Sequence, residues 1–97
     1  MRIIARSTLI QFADGHAEVK DALEAWYHEV LHLTWQGPDD IKARYRSADV
    51  LPGNRVVFKI RGNRYRLIVK VNYAAGIVFI RFVGTHAEYD RIDAEHV

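Results

Sequence analysis

The spacing of apolar residues along this chain changes once, near residue 55. Before that point apolar positions recur three and four residues apart; after it they recur every second residue. Met1–Ala5, with Ile3 and Ile4, reads as a short first strand. Ser7 suits the N-cap of a brief helix from Thr8 to about Ala13, because its hydroxyl can accept from amides that have no helical partner. Asp14-Gly15 reads as a turn. Val19, Leu23, Trp26, Val30 and Leu33 then fall on one stripe, which predicts a helix over His16–Trp35. Gly37-Pro38 ends that helix, and Pro38 can open the next one at its first position. Asp39 and Asp40 sit in its first turn, where the helix dipole favours carboxylates, while Lys42, Arg44 and Arg46 lie toward the other end. Leu51-Pro52-Gly53-Asn54 reads as a loop.

From Arg55 the pattern is that of strands. Val56, Phe58 and Ile60 alternate with Arg55, Lys59 and Arg61. Gly62-Asn63 makes a tight hairpin turn. Arg64, Arg66, Lys70 and Asn72 then point one way; Tyr65, Leu67, Val69, Val71 and Tyr73 point the other. After a turn at Ala74-Ala75-Gly76, Ile77–Gly84 is almost wholly apolar, as a central strand should be, with Arg81 the exception. Thr85 can cap a last helical turn from His86 to about Ile92, with Glu88 completing a capping box. The order β-α-α-α-β-β-β plus a short terminal helix predicts an α+β fold, with helices on one sheet face and a basic second face.

Composition narrows the function. A chain of 97 residues suits one domain, 1–97, with one modest core, and a 49% hydrophobic content is that of a globular protein. There is no cysteine, which excludes disulfides and thiolate metal sites and is compatible with a reducing cytoplasm. No apolar run approaches the roughly 18 residues of a membrane span, so no membrane partner is expected. The opening MRIIARSTLIQF lacks a small-residue cleavage site and reads as mature structure. The net charge of +2 conceals three zones: residues 1–41 carry −4, residues 42–81 carry +9, and residues 82–97 carry −3. The single acid of the central zone is Asp49. Such a zone calls for an anionic partner, and phosphate is the default.

Two groups of residues can carry chemistry. Arg55, Lys59, Arg61, Arg64, Arg66, Lys70 and Arg81 come from three consecutive strands and would converge on one sheet face. Arginine there can hold phosphates through paired N–H bonds. A solvated sheet face would carry the same residues more blandly. The second group is Thr85-His86-Ala87-Glu88-Tyr89-Asp90, where His86 and Tyr89 lie on one side of a helical turn. Histidine can move protons near neutrality, and a tyrosine hydroxyl can donate to a phosphate oxygen. His28 and His32, with Glu29 between them, are the one candidate for a metal pair, but the spacing is not that of a zinc-protease helix. No metal or other cofactor is expected.

The segments VVFKIRGNRYRLIVKVNY and FIRFVGTHAEYDRID strongly resemble HigB-type toxins, of the RelE-like mRNA interferases, and WQGPDDIKARYRSADVL resembles the helix and loop upstream in that family. The resemblance is most specific from Trp35 to Asp93. It implies a RelE-like microbial ribonuclease fold with an antiparallel sheet. It also implies an endoribonuclease that cuts mRNA, typically on the ribosome, and a helix-turn-helix antitoxin of the HigA kind as partner. Carried over by position, Arg66 matches the phosphate-binding arginine and Lys59 a catalytic basic position where HigB relatives often have Asn. His86 stands where relatives carry Arg or His, and Tyr89 lies near a terminal aromatic. Arg55, Arg61, Arg64, Lys70 and Arg81 are expected to bind RNA. A non-catalytic RNA- or ribosome-binding module is the rival reading. A DNA-binding regulator is disfavoured, because the long helix is acidic and the basic residues lie on strands.

Overall fold

The change of period becomes a change of layer: helices come from the first half of the chain and most of a sheet from the second. A computed structural model describes all residues, Met1–Val97. The elements are β1 (Arg2–Ile4), α1 (Arg6–Gly15), a 3-10 turn (Ala17–Val19), α2 (Lys20–Leu31), α3 (Pro38–Arg44), β2 (Asp49–Leu51), β3 (Arg55–Ile60), β4 (Tyr65–Asn72), β5 (Ile77–Thr85) and α4 (His86–Tyr89). The five strands lie in the order β1-β5-β4-β3-β2. Strands β2 to β5 are antiparallel, as expected; β1 joins the far edge parallel to β5, which makes the sheet mixed.

Several local expectations are corrected. The first helix starts at Arg6, straight after a left-handed Ala5 at φ 73°, and Ser7 lies inside it without capping it. Asp14-Gly15 is its last turn, not a free turn. The predicted His16–Trp35 helix starts late, because His16 is outside helical geometry at φ −141° and ψ 71° and a 3-10 turn precedes α2. It also ends early, at Leu31. The apolar stripe is nevertheless genuine, because it describes burial rather than helix length: Leu33 packs against the core although it lies beyond the helix. Strand β2 was hidden because three residues are too few to display a period, and it claims Leu51 from the expected loop.

The core lies between the helices and one sheet face. Leu9, Leu23, Trp26, Val30 and Ile41 pack from the helices against Val56, Phe58, Leu67, Val69, Val71 and Val78. Phe58 is its hub, with Trp26 and Tyr45 edge-on at 5.4 and 5.1 Å and Trp35 stacked at 6.1 Å. Val57 and Ile68 face away from this core yet are also fully buried. The second sheet face is therefore covered in part: α4 packs on β4 and β5, and the Val97 carbonyl oxygen accepts from Arg55 and Arg81. One irregularity interrupts β5. Ile68 pairs with Phe82 and Val69 with Ile80, so Arg81 is an extra, bulged residue.

Candidate active site

Strand register decides which basic side chains meet. Arg55 pairs with Lys70, Val57 with Ile68 and Lys59 with Arg66, so these alternate positions share the second face, as the sequence pattern predicts. Arg61 and Arg64 are not on that face; both belong to the hairpin loop. Arg61 at φ 53° and Gly62 at φ 67° make the left-handed reversal there, a conformation that glycine adopts without steric cost.

Arg66 is the centre of one cluster. It is only 6% exposed, the one charged residue among the buried ones. Its Nη1 donates to the Asn63 carbonyl at 2.9 Å and to the Tyr65 carbonyl at 3.4 Å, and its Nη2 donates to Asn63 Oδ1 at 2.8 Å. The hairpin turn thus clamps the guanidinium. Of its five N–H groups, Nε–H and one on Nη2 remain for a ligand. The Tyr89 ring lies against it, 5.5 Å from Cζ, a cation–π contact. Lys59 sits across from it on β3 and Gly84 across from it on β5. A Cβ on Gly84 would come within 2.5 Å of Phe82 Cζ and 3.3 Å of Glu88 Cβ. The bare position therefore lets Phe82 fold over the strand and α4 close down beside Arg66.

Helix α4 is short, and its position rests on its ends. The expected capping box is present: Glu88 N–H donates to Thr85 Oγ1 at 3.2 Å and Thr85 N–H to Glu88 Oε1 at 2.8 Å. The Thr85 amide holds the Glu88 carboxyl below its ordinary pKa, with the Thr85 side chain adding to the effect. The His86 amide donates to the Arg64 carbonyl at 2.8 Å, which ties α4 to the hairpin loop. His86 is exposed, and its Nδ1 lies 3.0 Å from Asp90 Oδ2, leaving Nε2 toward solvent. Lys59 Nζ lies 3.8 Å from Asp49.

Lys59, Arg66, His86 and Tyr89 are thus brought to one end of the sheet, with Arg61 and Arg64 at its rim. Arg55, Lys70 and Arg81 form a second group at the other end, four residues or about 13 Å further along β3. There Arg55 Nε and Arg81 Nε both donate to the Val97 carbonyl oxygen, at 3.0 and 3.3 Å, and Lys70 is exposed. Two residues that support the first cluster were not singled out from the sequence: Asn63, seen only as a turn residue, and Gly84. Their signal was their spacing from Arg66, three residues before it and directly across the sheet. The histidine pair on the long helix does not gather ligands, because Glu29 between them is taken by Arg44 and Tyr45. No group of three or more His, Asp or Glu side chains comes together elsewhere. No helix is long and apolar enough to cross a membrane.

Comparison with known proteins covers most of the chain. Residues 19–92 match the HigB_toxin family, described as the RelE-like toxic component of a toxin–antitoxin system. The chain is 29% identical to the mRNA interferase toxin HigB of Escherichia coli (strain K12), over 99% of its own length and 94% of that protein's. It is 29% identical, over the same shares, to the mRNA interferase HigB of Shigella flexneri. It is 22% identical to the mRNA interferase HigB of Escherichia coli O6:H1, over 95% and 91% of the two lengths. The match runs from the 3-10 turn through α4 and so includes every member of the Arg66 cluster: this chain belongs to the HigB toxin family, the RelE-like toxic components of toxin–antitoxin systems.

Proposed function

We propose that this chain is an endoribonuclease that cuts mRNA on the ribosome by making the RNA attack itself. The relatives' name, mRNA interferase, supports the reaction class. The observation that carries the site is Arg66, clamped by the hairpin turn, set against Tyr89, opposite Lys59, and with two donors unspent. The 2′-hydroxyl loses its proton and its oxygen bonds to the adjacent phosphorus. The bond from phosphorus to the 5′-oxygen breaks, that oxygen takes a proton, and a 2′,3′-cyclic phosphate remains. The nucleophile belongs to the substrate, so the reaction needs no bound metal. It needs a base, an acid and a stabiliser for the added charge. We assign the charge to Arg66 and Lys59, and proton transfer to His86 with Tyr89. Asp90 orients His86 through Nδ1. Arg55, Arg61, Arg64, Lys70 and Arg81 hold flanking phosphates. The whole chain acts as one toxin domain in the cytoplasm, held in check by an antitoxin of the HigA-like helix-turn-helix class.

The test is induction of wild-type and Arg66→Ala chains, with transcript 5′ ends mapped and folding checked by circular dichroism. Wild type should leave discrete new 5′ ends and arrest growth. Loss of one donor to a developing anion costs about 3 kcal/mol, on the order of 10²-fold in rate, so folded Arg66→Ala should leave transcripts nearly whole. Growth arrest without cut transcripts would mean a module that blocks translation by occupancy. Full cutting by folded Arg66→Ala would overturn the assignment.

A further inference from the structure

The far end of the second sheet face is not open. Arg55 and Arg81 both donate through Nε to the Val97 carbonyl oxygen, at 3.0 and 3.3 Å. The chain reaches them by a compact path. After α4, the Arg91 and Ile92 amides donate to the Glu88 and Tyr89 carbonyls, at 3.1 and 3.2 Å. Asp93 then closes a turn. Its Oδ1 accepts from the Glu95 amide at 3.1 Å, its Oδ2 lies 2.6 Å from His96 Nδ1, and its carbonyl accepts from the His96 amide at 3.1 Å. Ile92, Ala94 and Val97 are half-buried, while Asp93, Glu95 and His96 are exposed. Residues 93–97 hold two acids, Asp93 and Glu95, and no lysine or arginine. The Asp93 carboxyl is held below its ordinary pKa first by the His96 side chain, then by the Glu95 amide, and the Arg55 charge adds a smaller part. An acidic tail therefore lies on the most basic zone of the chain, bonded to two of the arginines expected to hold RNA.

We propose that residues 93–97 are a tethered competitor for RNA: they occupy Arg55 and Arg81 in the free chain and are displaced when a strand anchored at Arg66 runs on to the far end. The inference rests on the reading above, that RNA lies along this face, and adds its regulation. The tail gives both arginines one shared oxygen, whereas a phosphate can give a guanidinium paired, charge-assisted bonds. A short tether holds its ligand at an effective concentration on the order of millimolar, so a loose polyanion competes poorly with the tail. A strand already seated at Arg66 is tethered as well, since the far end lies only about 13 Å further along β3. Such a strand meets the tail on equal terms and displaces it by its greater charge. The tail thus favours RNA seated in the Arg66 cluster over nucleic acid that merely touches the basic face.

The test follows the unaltered chain by NMR, through its amide signals and the Nε–H signals of Arg55 and Arg81. The probes are 2′-O-methyl RNAs, which lack the attacking hydroxyl: a dinucleotide, whose single phosphate fills one end only, and a nonamer. The dinucleotide should move the Lys59 and His86 amides and leave Val97 and both Nε–H signals in place. The nonamer should move all of them and give the Glu95, His96 and Val97 amides the narrow lines of a mobile segment. Asp93→Ala unlocks the turn and leaves every basic residue of the face in place. With an unchanged circular dichroism spectrum, its nonamer affinity should rise about threefold or more, as the occupied fraction of the site is freed. Its dinucleotide affinity should not change. The competitor is overturned if the nonamer moves Lys59, Lys70 and His86 while Val97 stays still, or if the tail is already mobile in the free chain. It is overturned too if Asp93→Ala tightens both RNAs equally, the mark of lost charge alone, or leaves the nonamer no tighter. Release of the tail by the nonamer while induced cells keep intact transcripts would leave the competitor standing and remove the RNA-cutting reading. If neither RNA moves any signal, both fall.

Discussion

The two ends of the second sheet face carry the same residue types in different states of order. At the hairpin end Arg66 is buried, its guanidinium fixed by three bonds to the turn and stacked against Tyr89. At the other end Arg55 and Arg81 reach toward one carbonyl, that of Val97, and Lys70 lies in solvent. A count of charge along the strands treats these ends as equal. What separates them is how many donors are oriented before a ligand arrives, since pre-set donors need no reorganisation when charge develops. Under the proposed reaction the hairpin end does the chemistry and the far end attracts a polyanion.

The difference can be broken most sharply by a substitution that keeps charge and removes shape. Arg66→Lys retains the cation but loses the planar fork that Asn63 holds. Its single-turnover cleavage rate should fall on the order of 10²-fold, whereas Arg81→Lys should stay close to wild type. Equal losses would erase the distinction. Asn63→Ala removes the Oδ1 bond to Nη2 and loosens Arg66, while the two bonds to backbone carbonyls remain. Hydrogen bonds to a charged group are worth about 1.5 kcal/mol or more, so the turnover number should drop about tenfold. The KM should barely move, as fits a positioning residue. Replacing Arg55, Lys70 and Arg81 together by Gln should do the reverse. RNA affinity should lose about 2 from its logarithmic salt slope, at about 0.7 per phosphate of single strand, while cleavage at low salt persists. A collapse of low-salt cleavage in that triple variant would place the far end in the chemistry.

The smallest effect concerns the support of α4. Thr85→Ala removes an N-cap worth about 1 kcal/mol, which should lower Tm by about 4–8 °C in a domain of this size. Acid should reveal the same link. Glu88 is held below its ordinary pKa by Thr85, Glu18 by the Tyr65 hydroxyl, and Glu29 first by Arg44 and then by Tyr45. Carboxylates depressed in the fold stabilise it above their unfolded value, near about 4.3, and that contribution is lost as pH falls through the folded value. Melting curves taken from about pH 7 down to about pH 3 should show Tm falling in the acid limb. The fall should be only slightly shallower in Thr85→Ala, which loses the side-chain bond but keeps the backbone amide that donates to Glu88.

Much of this arrangement was legible in the sequence. Alternation over Arg55–Asn72 gave the two strands and the shared face of Lys59 and Arg66, because a half-buried strand has a strict period of two. Thr85 and Glu88 announced the capping box by spacing alone. What escaped was set by contacts between distant segments. The parallel pairing of β1 with β5 and the brief β2 depend on where edges are left open, which no local pattern records. The non-helical geometry at His16 is a backbone event just ahead of the apolar stripe, where no side-chain pattern records it. Within the site, the sequence named Arg66, His86 and Tyr89 but not their supports. Asn63 was visible as a turn residue; that its side chain also clamps Arg66 required the register. Arg61 and Arg64 were assigned to strands, whereas the loop takes both.

The bulge at Arg81 governs which face of the sheet every later residue of β5 takes. Before it, even-numbered residues of β5, Val78 and Ile80, enter the core; after it, the odd-numbered Val83 packs there, and Phe82 and Gly84 fall on the opposite face. One added residue thus switches parity. Without it, a regular strand would deliver Thr85 and α4 in the opposite phase and turn His86 and Tyr89 away from Arg66. Length, more than identity, is therefore what position 81 contributes to the site. A substitution there spares the phase, while a single-residue deletion would carry His86 and Tyr89 half a turn around the strand and part them from Arg66.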